Sequence, residues 1–197
     1  MAAPQYFKTV DLALLALEPL VRDGRIYVAK FAHGPLLVQS PVVTVRSVAE
    51  GVAWLQPTGP FRDFLARTEE ALKTLARSQA GAWNISEDQV ERSFKTFFDG
   101  DAFKVRLHPD FAAFDVVGDD LDVEDDLDDL QGTMRLLLEL DRLSVGKTEM
   151  GGLWRLVQLR VAAPPPPCLI DLDVEVPDDE EVAGSTGTDA PENEDFV

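Results

Sequence analysis

The sequence predicts an α+β domain: an antiparallel β-sheet or barrel with an inserted helical hairpin, followed by a disordered acidic C-terminal tail. β-Branched and alternating apolar residues at 26–48 and 102–161 indicate strands. Helical spacing takes over in the insert, 58–98, and the end of the chain is acidic. Strands, two helices and further strands are typical of helices inserted into an antiparallel sheet. We expect three parts: an N-terminal arm, 1–24; a β domain, 25–162; and a Pro-rich linker with the tail, 163–197.

Composition bounds the class of protein. The 197 residues suffice for one domain with a substantial core. A single cysteine, Cys168, excludes an intrachain disulfide and a cysteine-based metal site, and two histidines are too few for a histidine-rich one. We see no signal-peptide pattern, and the apolar run 12–17 is too short to span a bilayer. We expect an intracellular protein of a reducing compartment, without membrane contact, metal or cofactor.

The net charge of −18 is concentrated in two segments. Residues 163–197 carry eleven acidic and no basic residues, and the predicted acidic loop, 115–129, carries nine acidic and no basic ones. The rest has 18 basic and 16 acidic residues and is close to neutral. Such segments solubilise a protein. They can equally act as detachable polyanions.

The first half of the chain combines strand and helix signals. Residues 6–10 predict an edge strand or arm, and 26–48 predict a β-meander. Pro41 within that stretch predicts a sheet edge, a strand start or a bulge. Thr58 and Pro60 begin a helical pattern. Ser86 with Gln89 matches a capping box before a second helix.

Strand patterns return in the second half. Phe103, Val105 and Leu107 alternate with charged residues at 102–108, which is typical of a half-buried strand. A turn at Pro109 is expected to lead into a further strand before the acidic loop. The leucine-rich stretch 134–145 and the stretch 150–161 predict the last two strands of the domain.

No pattern predicts an enzyme. Gly146, Lys147 and Thr148 resemble the end of a phosphate-binding loop, but Asp141 stands where its first glycine is required. The acidic loop lacks the glycine and the final glutamate of a calcium loop. No Ser/His/Asp or Cys/His set can be argued. We therefore expect no catalytic residues.

Basic and aromatic residues are interleaved on the predicted strands. Alternation alone predicts only that charged side chains face solvent. The alternative is a surface for single-stranded nucleic acid, in which cations contact phosphates and aromatic rings stack on bases. Of the five aromatic residues among the candidates for this surface, at least two are expected to belong to the core. The candidate residues are Tyr27, Lys30, Phe31, Arg46, Trp54, Phe103, Lys104, Arg106, Trp154, Arg155 and Arg160.

The tail favours the nucleic-acid alternative. It ends Asp195-Phe196-Val197, so an aromatic side chain follows a long acidic stretch where no core requires it. A tethered polyanion competes with nucleic acid for a basic surface at high effective concentration. Asp195 and Phe196 are thus candidates for binding a partner protein.

Two short motifs resemble a known family. Gly34 to Pro41, GPLLVQSP, resembles the G-x-P-L-hydrophobic-Q-T-P segment of a protein family of large nucleocytoplasmic DNA viruses, with Ser40 in place of the usual Thr. Gly151 to Gln158 resembles that family's Gly-x-x-Trp-x-hydrophobic-x-Gln strand. The family is similar to OB-fold single-stranded DNA-binding proteins, including the phage type with an acidic, aromatic-ended tail. The matched positions are Gln39, Trp154 and Gln158.

The resemblance implies an OB-like fold over residues 25–162. It also implies single-stranded DNA binding in viral DNA replication, repair or recombination. The location would be a cytoplasmic virus factory, the nucleus or the virion, and the protein could form a homo-oligomer. The alternative, based on the same −18 charge, is an acidic virion or interaction protein that binds histones or other basic proteins without binding nucleic acid.

Overall fold

The computed structural model describes residues 3–121, 131–146 and 148–163. These residues form a mostly β structure with two α-helices, as predicted. The strands are β1 (Gln5–Tyr6), β2 (Val21–Asp23), β3 (Ile26–Lys30), β4 (Leu36–Ala49), β5 (Val52–Gln56), β6 (Phe98–Asp99), β7 (Ala102–Phe114), β8 (Gly132–Val145) and β9 (Met150–Val161). The helices are α1 (Gly59–Gln79) and α2 (Glu87–Ser93), with single turns of 3-10 helix at Phe7–Thr9 and Leu12–Leu14.

Five of the strands pair in a closed ring. β4 pairs antiparallel with β5, and β5 with β7. β7 then runs parallel to β9, β9 antiparallel to β8, and β8 antiparallel to β4. Each of the five strands therefore has a partner on both sides. The short strands extend the ring: β1 lies parallel to β4, β6 pairs with β7, and β3 joins β8 to β2.

The predicted meander at 26–48 is wrong in its pairing. β3 and β4 do not pair with each other: both lie antiparallel to β8, β3 against residues 142–145 and β4 against residues 132–140. The chain passes between them without reversing, through Gly34 at a φ of 83°. The sequence pattern predicts an extended backbone, but it does not specify the partner strand.

Ser40 and Pro41 lie at a bulge in β4, one of the three positions predicted for the proline. The register with β8 shifts between Gln39 and Val42. The buried Ser40 hydroxyl accepts a hydrogen bond from the Leu136 N–H at 2.9 Å, and donates one to the Pro41 carbonyl at 2.6 Å. The serine thus satisfies a backbone donor of β8 at the point where the ladder is interrupted.

A second bulge corrects the turn predicted at Pro109. β7 continues through this proline, and its register with β9 shifts between Leu107 and Ala112. A bulge tolerates a proline because the extra residues make no ladder hydrogen bond. The bulge in β4 changes which residues face outward, since Gln39 before it and Val42 after it are both exposed.

The helices pack on the core of the ring. Phe61, Phe64, Leu65 and Leu72 of α1 are buried at helical spacing. The Ser86 hydroxyl accepts a hydrogen bond from the Gln89 N–H, which confirms that part of the predicted capping box. Thr58 stands at the N-cap of α1, but its side chain makes no capping hydrogen bond.

The residues before β3 join the same core. Phe7 is buried, and its ring meets that of Phe61 edge to face at a centroid distance of 5.2 Å. β2 pairs with β3 through Val21 to Asp23. The segment predicted as an N-terminal arm therefore supplies both a sheet strand and a core side chain.

Candidate nucleic-acid interface

The outward side chains of β5 and β7 place an aromatic ring beside two cations. Trp54 lies opposite Lys104, whose Nζ is 4.9 Å from the centroid of the indole ring. Arg106 is the next outward residue of β7 and is exposed. The alternating residues Leu55 and Phe103 are fully buried, and this burial fixes which side of each strand faces solvent. We call Trp54, Lys104 and Arg106 the β5–β7 face.

Two other predicted phosphate contacts lie in ion pairs. The Arg46 guanidinium donates to Asp101 at 2.6 Å, and this hydrogen bond lowers the pKa of the Asp101 carboxyl. Arg155 Nη2 lies 3.2 Å from Asp141 Oδ2. By contrast, the described residues place no carboxylate within 4.0 Å of the cations of the β5–β7 face. These cations are more available to a phosphate than Arg46 or Arg155.

A cleft of about 840 Å³ opens elsewhere on the outside of the ring, where β1, β4, β8 and β9 meet. Aromatic rings, guanidinium groups and amides line it together. We call it the β4–β8–β9 cleft, and its polar and aromatic lining includes Tyr6, Gln39, Phe114, Arg135, Gln158 and Arg160.

Strand register brings the two motif glutamines into this cleft. Gln39 of β4 lies opposite Leu137 of β8, which in turn lies opposite Gln158 of β9. Because neighbouring strands are about 4.8 Å apart, the two glutamine Cα atoms are roughly 10 Å apart. Arg135 lies opposite Arg160 two residues along β8. The amides and the guanidinium groups thus form adjacent rows on one surface.

A turn after β7 holds Arg160 at the edge of the cleft. Arg160 Nη2 donates to the Val116 carbonyl at 2.8 Å. The Asp115 carboxylate accepts backbone hydrogen bonds from Asp119 and Gly118, and these bonds lower its pKa. This described part of the predicted acidic loop is therefore an ordered turn whose carbonyl positions a cleft arginine.

Three exposed polar side chains of the cleft, Gln39, Arg135 and Gln158, have no internal partner in the described part of the chain. At residues 3–121, 131–146 and 148–163, no ion pair or side-chain hydrogen bond involves Arg135, and no side-chain hydrogen bond involves Gln39 or Gln158. All three are exposed. The cleft therefore presents donors and acceptors to a ligand at little cost in broken internal bonds.

Three of the predicted stacking residues belong to the core. Phe31, Phe103 and Trp154 retain 4%, 0% and 3% of their exposure. The rings of Phe103 and Trp154 meet edge to face at a centroid distance of 6.0 Å. A buried ring cannot stack on a base, so we remove these three residues from the interface. The expectation that at least two of the five aromatic candidates would be core is confirmed.

The other predicted residues lie away from both surfaces or outside the described ranges. Tyr27 is half exposed on β3 and lines a hollow of about 640 Å³ together with Trp83. Lys30, also on β3, is exposed and lies opposite Arg142 of β8. Asp195 and Phe196 lie outside the described residues.

Sequence reasoning missed three residues of the cleft: Tyr6, Phe114 and Arg135. Arg135 is the only cation in the leucine-rich stretch 134–140, a signal that could have marked it as an outward residue. Phe114 alternates with the buried Ala113 near the end of β7, so the same alternation that marks Lys104 and Arg106 as outward could have marked it. Tyr6 reaches the cleft only through the pairing of β1 with β4, which no local pattern predicts.

Among the described residues, no group of three or more His, Cys, Asp or Glu side chains could hold a metal ion. Neither helix in these ranges has the length and apolar character needed to cross a membrane.

Comparisons with known proteins give distant structural neighbours. No family model and no curated protein sequence matches the chain. The single-stranded DNA-binding protein of bacteriophage Enc34 in complex with ssDNA aligns at 10% identity and a TM-score of 0.45, over 77% of this chain and 98% of that one. A second structure of the single-stranded DNA-binding protein from bacteriophage Enc34 aligns at 11% identity and a TM-score of 0.44, over 79% of this chain and 96% of that one. At these identities and TM-scores, the structural likeness assigns neither a family nor a function to this chain.

Proposed function

We propose that the chain is a non-enzymatic single-stranded DNA-binding protein with an OB-like fold. In an OB fold, five strands form a Greek-key barrel, and the second and third strands present the oligonucleotide-binding face. The first strand of that fold pairs with the second and fourth, and the third runs parallel to the fifth. β4, β5, β7, β8 and β9 pair in this order, which supports the proposal.

The β5–β7 face is the observation that carries this function. β5 and β7 are the second and third strands of the ring and hold Trp54, Lys104 and Arg106 on their outer side. A half-buried indole at the surface can stack on a base, and two neighbouring cations can contact the phosphates beside it. This mode of binding tolerates any sequence, because every base has an aromatic face.

The acidic tail has a proposed regulatory role that rests on sequence alone. Residues 164–197, outside the described ranges, would compete with DNA for basic surface as a tethered polyanion, and Asp195 and Phe196 would recruit replication proteins. The motif resemblance supports a place in viral DNA replication, repair or recombination, with an intracellular location in the virus factory or nucleus, or in the virion.

Binding of a fluorescent oligothymidine, followed by anisotropy over a salt titration, tests the proposal. We expect the full chain to bind single-stranded more tightly than double-stranded DNA, with an affinity that falls as salt rises. A version that ends at Ala163 should bind more tightly than the full chain if the tail competes. Failure of both forms to bind at low salt would contradict the function.

A pull-down with basic proteins distinguishes DNA binding from the alternative function, that of an acidic protein that binds histones or other basic proteins. Under this alternative, the full chain would capture histones and other basic proteins through its net charge of −18. Capture of basic proteins by a chain that binds no oligonucleotide would select this alternative. Oligonucleotide binding that survives truncation at Ala163 would reject it.

A further inference from the structure

We infer that the β4–β8–β9 cleft takes up one unstacked base of the bound strand and reads its edge with Gln39 and Gln158. This inference rests on the proposed DNA binding and adds a second, base-selective site. The site lies outside the β5–β7 face, on the first, fourth and fifth strands of the ring. The occupant is a nucleobase with its flanking phosphates.

The dimensions and lining of the cleft fit such an occupant. Its volume is about 840 Å³, within the range of pockets that bind small organic ligands. Tyr6 at one wall is 40% exposed, and Phe114 lies among the outward residues that line the cleft. Aromatic side chains at these positions offer surfaces on which an unstacked base can rest.

The two amides supply hydrogen bonds that distinguish bases. A carboxamide presents one acceptor and two donors, and it pairs in two-pronged fashion with adenine, which offers an adjacent acceptor and amino group. Gln39 and Gln158 flank Leu137 on neighbouring strands, so both can reach a base that lies over this residue. Within the described residues neither amide is engaged in a side-chain hydrogen bond, so the proposed contacts replace contacts to water.

The two guanidinium groups of the cleft can pair with the negatively charged phosphates that flank a bound base. Arg135 and Arg160 lie opposite each other, two residues along the strands from Leu137 and Gln158. Arg160 is held through one Nη by the Val116 carbonyl at 2.8 Å, which leaves its other donors for a ligand. A phosphate on either side of the base would meet one of these arginines.

A homopolymer series tests the inference. Affinities of the full chain for oligoadenylate, oligothymidylate, oligocytidylate and deoxyadenosine monophosphate are measured by anisotropy or competition. We expect wild type to prefer one base, adenine, by about fivefold or more. The Gln39→Ala/Gln158→Ala variant should lose this preference while its affinity for the weakest homopolymer stays within about twofold, because the cations and Trp54 remain. Gln79→Ala, at the end of α1, is the matched control and should behave as wild type.

The outcomes separate the two proposals. A preference that survives the double substitution, or wild-type binding with equal affinity for every homopolymer, would overturn the cleft inference and leave DNA binding intact. No binding to any homopolymer would overturn both. Binding of the mononucleotide without any oligonucleotide would also overturn the inference, because it would identify a free-nucleotide site. Thermal unfolding of the double variant at the wild-type temperature would confirm that its fold is unchanged.

Discussion

The β5–β7 face and the β4–β8–β9 cleft lie on the same ring of strands but offer different chemistry. The face has one half-buried indole and two cations without carboxylate partners in the described ranges, which suits contacts that do not depend on base sequence. The cleft adds two amides to its cations and aromatic rings, which suits contacts that select a base. The difference arises from strand register: Gln39 and Gln158 both lie beside Leu137 of β8, whereas the β5–β7 face carries no amide among the three residues that define it.

The largest expected effect is a loss of stability that distinguishes a buried residue of β7 from its outward neighbour on the β5–β7 face. Phe103 alternates with Lys104 on β7 and is fully buried. Phe103→Ala should lower the free energy of unfolding by about 3–5 kcal/mol, because it removes a large buried ring and leaves a cavity. Urea unfolding measures the loss. The neighbouring Lys104→Ala should change stability by less than about 0.5 kcal/mol; equal losses in the two variants would show that the inward and outward positions are misassigned.

Trp54→Ala should have the largest effect on binding at the face. Removal of the indole ring on which a base stacks should weaken the binding free energy by about 1–3 kcal/mol. The loss should be the same for every homopolymer, because stacking does not select a base. Anisotropy measures it, with Trp54→Phe as the control that retains a ring. A loss confined to one homopolymer would instead place base selection at the face.

Ser40→Ala should weaken the framework of the cleft. The Leu136 N–H would lose its acceptor at 2.9 Å in a buried position, at a cost of about 1–3 kcal/mol in the free energy of unfolding. Since Gln39 precedes this bulge, the base preference proposed for the cleft should decrease as well. Chemical denaturation and the homopolymer series measure the two effects. Unchanged stability would mean that the serine hydroxyl does not support the bulge.

The smallest expected effect is a change in the salt dependence of DNA binding, which should differ between an arginine without a carboxylate partner among the described residues and an arginine in an ion pair. Arg106→Gln should reduce the slope of log affinity against log salt by about one, because it removes one phosphate contact. Arg46→Gln should leave this slope nearly unchanged, because Arg46 is already paired with Asp101 at 2.6 Å. An equal reduction in both variants would show that the ion pair does not decide which arginine contacts DNA.

Local patterns predicted the elements of this fold better than their arrangement. The bounds of the last strand, 150–161, and the alternation of Phe103 with Lys104 follow directly from the sequence. The pairing of β3 and β4 with β8 does not, since partner choice depends on contacts between residues far apart in the chain.

The candidate site shows the same division. Lys104 and Arg106 were predicted because they alternate with apolar residues at 102–108, and Trp54 because it is a large aromatic residue in a predicted strand. Tyr6 was not predicted, because only the parallel pairing of β1 with β4 brings it to the cleft. Phe114 and Arg135 follow simple alternation, but alternation does not show that distant strands place them on one cleft. Phe31 and Trp154 resembled the surface aromatics in sequence, and only their packing identifies them as core.

The central claim, that the β5–β7 face binds single-stranded DNA, is tested most directly by Lys104→Ala/Arg106→Ala. The measurement is the salt dependence of anisotropy binding to a fluorescent oligothymidine, with wild type and Arg46→Ala alongside. The account predicts that the double variant binds more weakly and that its slope of log affinity against log salt is smaller by about two. A wild-type slope in the double variant, or no binding by wild type at low salt, would contradict the account.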